Sequence, residues 1–199
     1  MAKIGLSNLY YAKLTEASDG TPSYDGAKTL GKAVSASVSI TNNSATLYAD
    51  NVLAESDTSF QSGTITLGVD EDGDTVFADL LGHTIGGSGT SEGVVVKSTE
   101  DVAPYVAVGR VITKMVSGVL YYKAEVLYKV KFSEPSQDNS TKGESIEFGT
   151  SEIEGNIMAL ANGKWSTGKT FTTKADAISF ITTLMTAPTN PTNTVVGEG

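Results

Sequence analysis

The chain has no cysteine, which removes disulfides, thiolate nucleophiles and cysteine-built zinc sites from consideration. Histidine occurs once, as His83, so a multi-histidine metal centre is excluded and a Ser-His-Asp triad has a single candidate base. Arginine also occurs once, as Arg110. Guanidinium is the group that best grips phosphate and guanine edges, so sequence-specific nucleic-acid binding is not expected. No apolar run approaches the roughly 18 residues of a membrane-spanning helix. The stretch from Met1 to Tyr11 lacks the basic and apolar regions of a signal peptide. A soluble protein made in the cytoplasm, with no membrane partner, is the expectation.

What the chain does have is 199 residues and an acidic balance, 14 Lys plus Arg against 23 Asp plus Glu, for a formal charge of −9. A single domain of this length buries about 70% of its unfolded surface and needs no metal or disulfide to hold a core. Serine and threonine together number 46 and glycine 21, a composition that suits strands joined by tight turns. A mainly β fold follows, with long loops and an extended tail over residues 188–199.

Alternation supports this. From Leu120 to Phe132, the residues Leu120, Tyr122, Ala124, Val126, Tyr128, Val130 and Phe132 fall on one face and Lys123, Glu125, Lys129 and Lys131 on the other. With Tyr105 to Val116 and the turn Ser117-Gly118 this predicts a long hairpin, part of which projects beyond the core. Val34 to Thr41 alternates with serine, and Ser59 to Val69 alternates with a parity change near Ser62-Gly63 that predicts a bulge. Weaker candidates are Leu6 to Leu14, Ser44 to Val52, Gly93 to Ser98, Glu144 to Ile157 and Lys164 to Thr172, for eight or nine strands in all. Two helices are expected: Thr75 to Leu81, capped by Asp74 and stopped by Gly82, and one opened by Thr173 with Asp176, whose stripe is Ala177, Ile178, Ile181, Leu184 and Met185 and which Pro188 ends. The second should lie across an open sheet face.

Four features invite chemical readings, and each has a plainer one. Gly163 to Thr170 matches a phosphate-binding loop, but the following residues continue a β-like run where such a loop needs a helix. Asp70, Asp72 and Asp74 alternate as in a calcium loop, yet Thr75 stands where glycine is required and Leu81 where a bidentate glutamate is required. His83 is best read as interacting with the carbonyls at a helix end. Trp165 alone makes a poor sugar platform and reads as half-buried core. No enzyme, cofactor or metal is expected.

Long strands leave edges that other chains can pair with, and a head-to-tail contact that closes makes a ring. Several blocks then become familiar: Lys3-Ile4-Gly5-Leu6 with Asn8-Leu9-Tyr10-Tyr11-Ala12, Ser44-Ala45-Thr46-Leu47-Tyr48-Ala49-Asp50, and Asp79-Leu80-Leu81-Gly82-His83. So do Ala103-Pro104-Tyr105-Val106-Ala107-Val108-Gly109, Tyr128-Lys129-Val130-Lys131-Phe132, and Thr141-Lys142-Gly143-Glu144-Ser145-Ile146-Glu147-Phe148. In this order, over residues 3 to about 165, the chain resembles the major tail protein family of long-tailed bacteriophages; the Gly86 to Gly93 loop and the tail match no pattern of that family.

The resemblance implies a β-sandwich or barrel-like tail-tube domain over residues 1–187 with one or two short flanking α-helices, a structural subunit of the virion tail self-assembling into hexameric rings that stack into a conduit for genome delivery. It implies as partners further copies of the chain, the tape measure, terminator and baseplate proteins of the tail, and double-stranded DNA in transient, non-specific passage. An acidic wall would repel phosphates rather than grip them; Glu125, Glu147, Glu152 and Glu154 are the candidates to line it. For ring and stacking contacts the candidates are Asn42, Asn43, Ala45, Leu47 and Tyr48 after Ile40, with Gln137, Asp138, Asn139 and Thr141 in the polar stretch Ser133 to Gly143, and both termini. The alternative is a β-sandwich adhesion or carbohydrate-binding module of a virion or cell surface.

Overall fold

The computed structural model describes residues 2–49, 52–70, 74–87, 92–135 and 151–186. In chain order they form β1 (Ala2–Glu16), β2 (Pro22–Tyr24), β3 (Lys28–Gly31), β4 (Ala33–Asn42), β5 (Ala45–Ala49), β6 (Val52–Asp57), β7 (Phe60–Val69), α1 (Asp74–Leu81), β8 (Thr84–Gly86), β9 (Val94–Val96), β10 (Tyr105–Val116), β11 (Val119–Phe132), β12 (Ser151–Met158), β13 (Ser166–Phe171) and α2 (Lys174–Leu184). The protein is mainly β with two short helices. Nine strands belong to one antiparallel sheet with the path β2-β1-β10-β11-β12-β7-β4, β3 joining beside β1 and β13 beside β11. Two further pairs, β5 with β6 and β8 with β9, stand apart from it.

The strand count exceeds the expected eight or nine because β2, β3 and β8 are too short for alternation to register. Residues 44–52, expected as one strand, instead supply β5 and the start of β6, since Ala49 pairs with Val52 and the chain doubles back between them. The turn at Ser117 and Gly118 has both residues left-handed, φ 50° and 81°, the twist-matched two-residue turn of a hairpin. The bulge expected near Ser62 is found beside it: Thr41 pairs with Ser62 and Asn42 with Phe60, leaving Gln61 over.

A second bulge corrects the expected single apolar face of β11. Val106 pairs with Val130 and Val108 with Leu127, so Ala107 on β10 stands opposite both Tyr128 and Lys129. The extra residue reverses which side chains face which way. Ala124, Val126 and Tyr128 pack on one side of the sheet with Ala177, Ile181 and Met185 of α2. Val130 and Phe132 join Leu127 on the other side.

That other side is the inside of a curled sheet. Leu9, Leu30, Ile65, Leu67, Val69, Val106, Val108, Val130, Phe132, Ile153 and Ile157, drawn from six strands, meet in one cluster with Leu80 and Leu81 of α1. The curl brings β1 against β4 without ladder pairing, so the body is barrel-like with one open seam. Gly82, at φ +80°, ends α1 as expected; a Cβ there would lie 2.3 Å from the carbonyl oxygen of Val102. Thr173 caps α2, its hydroxyl accepting from the Asp176 amide at 3.2 Å and donating to the Asp176 carboxylate at 2.6 Å. The apolar stripe of α2 falls where periodicity put it, and its burial contributes about 1.5–3 kcal/mol per large side chain.

Gly109 lets the helix approach β10: a Cβ there would stand 2.4 Å from Cγ2 of Ile181. Gly109→Ala should therefore lift α2 off the sheet and destabilise the protein by about 1–3 kcal/mol. Urea denaturation followed by circular dichroism checks this; an unchanged midpoint would mean that the helix is not seated as described.

Candidate functional site

Three strands build the surface with the clearest functional character. Pairing aligns Ser35 with Gly68 and Glu152, Ser37 with Thr66 and Glu154, and Ser39 with Thr64 and Asn156, as three parallel rows across β4, β7 and β12. The alternate residues Ala36, Val38, Ile65, Leu67, Ile153 and Ile157 point into the core, which obliges the rows to point out. Ser35, Ser37, Ser39, Glu152, Glu154 and Asn156 are exposed, and Thr64 and Thr66 are half-buried. None of the three strands contains a lysine, arginine or histidine. Their outer face is thus hydroxyl-rich, with Glu152 and Glu154 its only charges.

The border of this face is an open edge. β4 ends the sheet path, and its sequence Ala33–Asn42 holds neither proline nor charge. Free edges are ordinarily blunted by such residues. The other margins of the sheet carry them: Pro22 in β2, Lys28 in β3 and Lys169 in β13. Across the seam, Arg110 Nη1 reaches the Ala36 carbonyl of β4 at 3.5 Å.

From the far end of β4 springs the β5–β6 pair. Asn42 pairs with Phe60, and Asn43 is fixed to Ser59 twice, amide to carbonyl at 2.8 Å and Nδ2 to hydroxyl at 2.9 Å. These two candidates sit at the root of the arm, while Ala45, Leu47 and Tyr48 lie within β5. Gln137, Asp138, Asn139, Thr141 and Glu147 fall outside the described residues, as does 188–199. By register the tip of the β10–β11 hairpin lies at the same end of the sheet as Asn42, where it exposes Met115, Val119 and Leu120, with Ile4 of β1 beside them.

Glu125 does not join Glu152 and Glu154. It lies on the same side of β11 as Leu127, turned into the fold, and its carboxylate receives Arg110 Nε at 2.8 Å and Lys123 Nζ at 2.7 Å. Burial alone would raise its pKa, but Lys123 and Arg110 outweigh burial and hold the carboxyl below its usual range. The expected role at an acidic wall is therefore replaced by an internal ion cluster. Its guanidinium is the one that also braces β4.

No protein-family model and no curated protein matches the chain.

The remaining chemical candidates resolve into structure. Gly168, Lys169 and Thr170 are paired in β13 with Glu125, Ala124 and Lys123, so the phosphate-loop pattern is a strand. Asp70 bonds Lys32 at 3.2 Å, and Asp72 lies outside the described residues. Among the described residues no group of three or more potential ligands could hold a metal, and no helix is long and apolar enough to cross a membrane. Trp165 stacks on Phe60, centroids 4.6 Å apart and planes within 6°, which covers one face of the ring. The Asp79 to His83 block owes its character to Asp79, which accepts from Tyr11 at 3.0 Å and Lys28 at 3.1 Å and also pairs with Lys13. Burial and then Asp79 push the Tyr11 hydroxyl far up. His83 departs from expectation: its ring contacts two carboxylates rather than helix carbonyls.

Sequence reasoning missed Thr64, Thr66 and Asn156. Their alternation was visible in outline, but the register that sets them beside the serines was not.

Because Glu125 is held low, its stabilising contribution is complete above the ordinary glutamate range, about pH 4.3, and is lost as the pH falls through the depressed value. Glu125→Gln should be less stable than the parent at neutral pH, and the gap should close below about pH 4. Denaturation midpoints of both proteins across pH give the answer; a constant gap would show that the ion cluster is not its source.

Proposed function

We propose that this chain is the repeating subunit of a phage tail tube, closing into rings that stack into a conduit for DNA, and that it works in the virion after synthesis in the host cytoplasm. The observation that carries the reading is the combination on β4: an edge without charge or proline, bordering a face whose only charges are negative. An open edge of that kind is complementary to another strand. Pairing it in the same sense from copy to copy extends the sheet from one subunit to the next, and a closed rotation converts the extension into a ring.

In such a ring the hydroxyl and carboxylate rows would face the channel. Duplex DNA is a dense line of phosphates, and a wall offering Glu152 and Glu154 without cations gives it nothing to grip. The β5–β6 pair stands apart from the main sheet and the β10–β11 hairpin has an exposed apolar tip at the same end, and both are suited to contacts between successive rings. The ring order of six, and tape measure, terminator and baseplate proteins as partners, come with the sequence resemblance. Catalysis has no part in this reading.

Negative-stain microscopy of concentrated purified protein tests it. Rings or tubes are the expected result, and monodisperse monomers at every concentration would refute it. With tubes in hand, Glu152→Lys with Glu154→Lys should slow DNA release from reconstituted virions more than it impairs assembly; equal defects would remove the acidic face from the mechanism.

A further inference from the structure

His83 is held by three parts of the chain that no ladder joins. Its backbone closes α1, the amide donating to the Ala78 carbonyl at 2.9 Å. Its ring, only 6% exposed, places Nδ1 2.7 Å from Asp101 Oδ2, in the stretch ahead of β10, and Nε2 on Glu134 Oε1, two residues past β11. Asp101 is itself anchored, since Oδ2 also accepts the Ser98 amide at 2.8 Å. Glu134 receives Lys97 Nζ on its second oxygen at 3.1 Å. The β8–β9 pair shares no ladder with the main sheet, so these polar contacts tie it to the end of β11.

The ring must be doubly protonated for this arrangement to hold. A neutral imidazole carries one N–H, and an ionised carboxylate has no hydrogen to give. The Ser98 amide and then His83 hold Asp101 below the usual carboxylate range, and at Glu134 Lys97 and His83 outweigh a partial burial that acts the other way. Both acids are thus ionised near neutrality, and the shared proton belongs to the imidazole. The other charged groups around it are accounted for: Lys97 comes from the end of β9, and Asp79 of α1 is engaged by Tyr11, Lys13 and Lys28.

We propose that His83 is a proton-operated latch: with both nitrogens protonated it clasps Asp101 and Glu134 together, and on losing one proton it releases Glu134. Release falls on that side because Asp101 keeps its backbone donor, whereas the Glu134 side chain is 49% exposed and can swing to solvent with Lys97. Beneath the latch lies a cavity of about 310 Å3 lined by Phe77, Leu81, Val94, Val95 and Pro135, with Glu134 on its wall. Opening would widen it at the point where the chain leaves β11. The inference does not depend on tube formation.

Because His83 is the chain's sole histidine, its ring nitrogens give unambiguous 15N signals. In the full-length protein, raising the pH until the ring gives up a proton should convert two protonated nitrogens to one. In the same step the amides of Lys97 and of residues 132–134 should lose protection from hydrogen exchange. Glu134→Gln replaces the carboxylate with a neutral amide that can donate to or accept from the ring, so those amides should become insensitive to pH while the circular dichroism spectrum is retained. Ring deprotonation without any amide change, or the same amide change in Glu134→Gln, would overturn the latch.

Discussion

Strand β11 serves three partners, and it does so by fitting Tyr128 and Lys129 opposite the single residue Ala107. Before this bulge its side chains alternate between α2 and the barrel interior in one phase; after it, in the other. The same point divides its far edge. β13 pairs with Tyr122 to Leu127 and β12 with Lys129 to Phe132, while the amide of Tyr128 donates to the Trp165 carbonyl at 3.0 Å, just ahead of β13. Without the offset, Val130 and Phe132 would face outward and β12 would lose the floor on which Ile153 and Ile157 rest. The outer face of β12, with Glu152 and Glu154, is thus oriented by a packing constraint on a different strand.

The contrast between the two sides of the body follows from the same division. One side of β10 and β11 is covered by α2, whose approach is set by Gly109, and is sealed by Ala177, Ile181 and Met185. The outer face of β4, β7 and β12 has no such cover among the described residues and is composed for water and hydroxyls. The account places assembly on the uncovered side, where an unguarded edge and a negative face adjoin.

Much of this was legible in the sequence where a rule acts locally. The Thr173 and Asp176 cap, the stripe of α2, the Gly82 stop, the Ser117-Gly118 turn and the serine alternation of β4 each depend on neighbours within a few residues. What escaped depends on partners far along the chain. The β11 bulge is defined only against β10, and unbroken alternation from Leu120 to Phe132 concealed it. Glu125 looked like a free carboxylate on a wet face, since nothing local announces that Arg110, paired across the ladder, will claim it. Likewise Ser37, Thr66 and Glu154 gave separate signals, and only register unites them. His83 escaped for the same reason: Asp101 and Glu134 reach it from 18 and 51 residues away.

The central claim is that copies of this chain complete one another's sheets along β4. Amide hydrogen exchange of β4, read at dilute and at assembling concentrations, tests it most directly. The account predicts that amides from Ser35 to Thr41 that point away from β7 exchange freely in the dilute protein and become protected on assembly. Assembly that leaves those amides as exposed as before would contradict it.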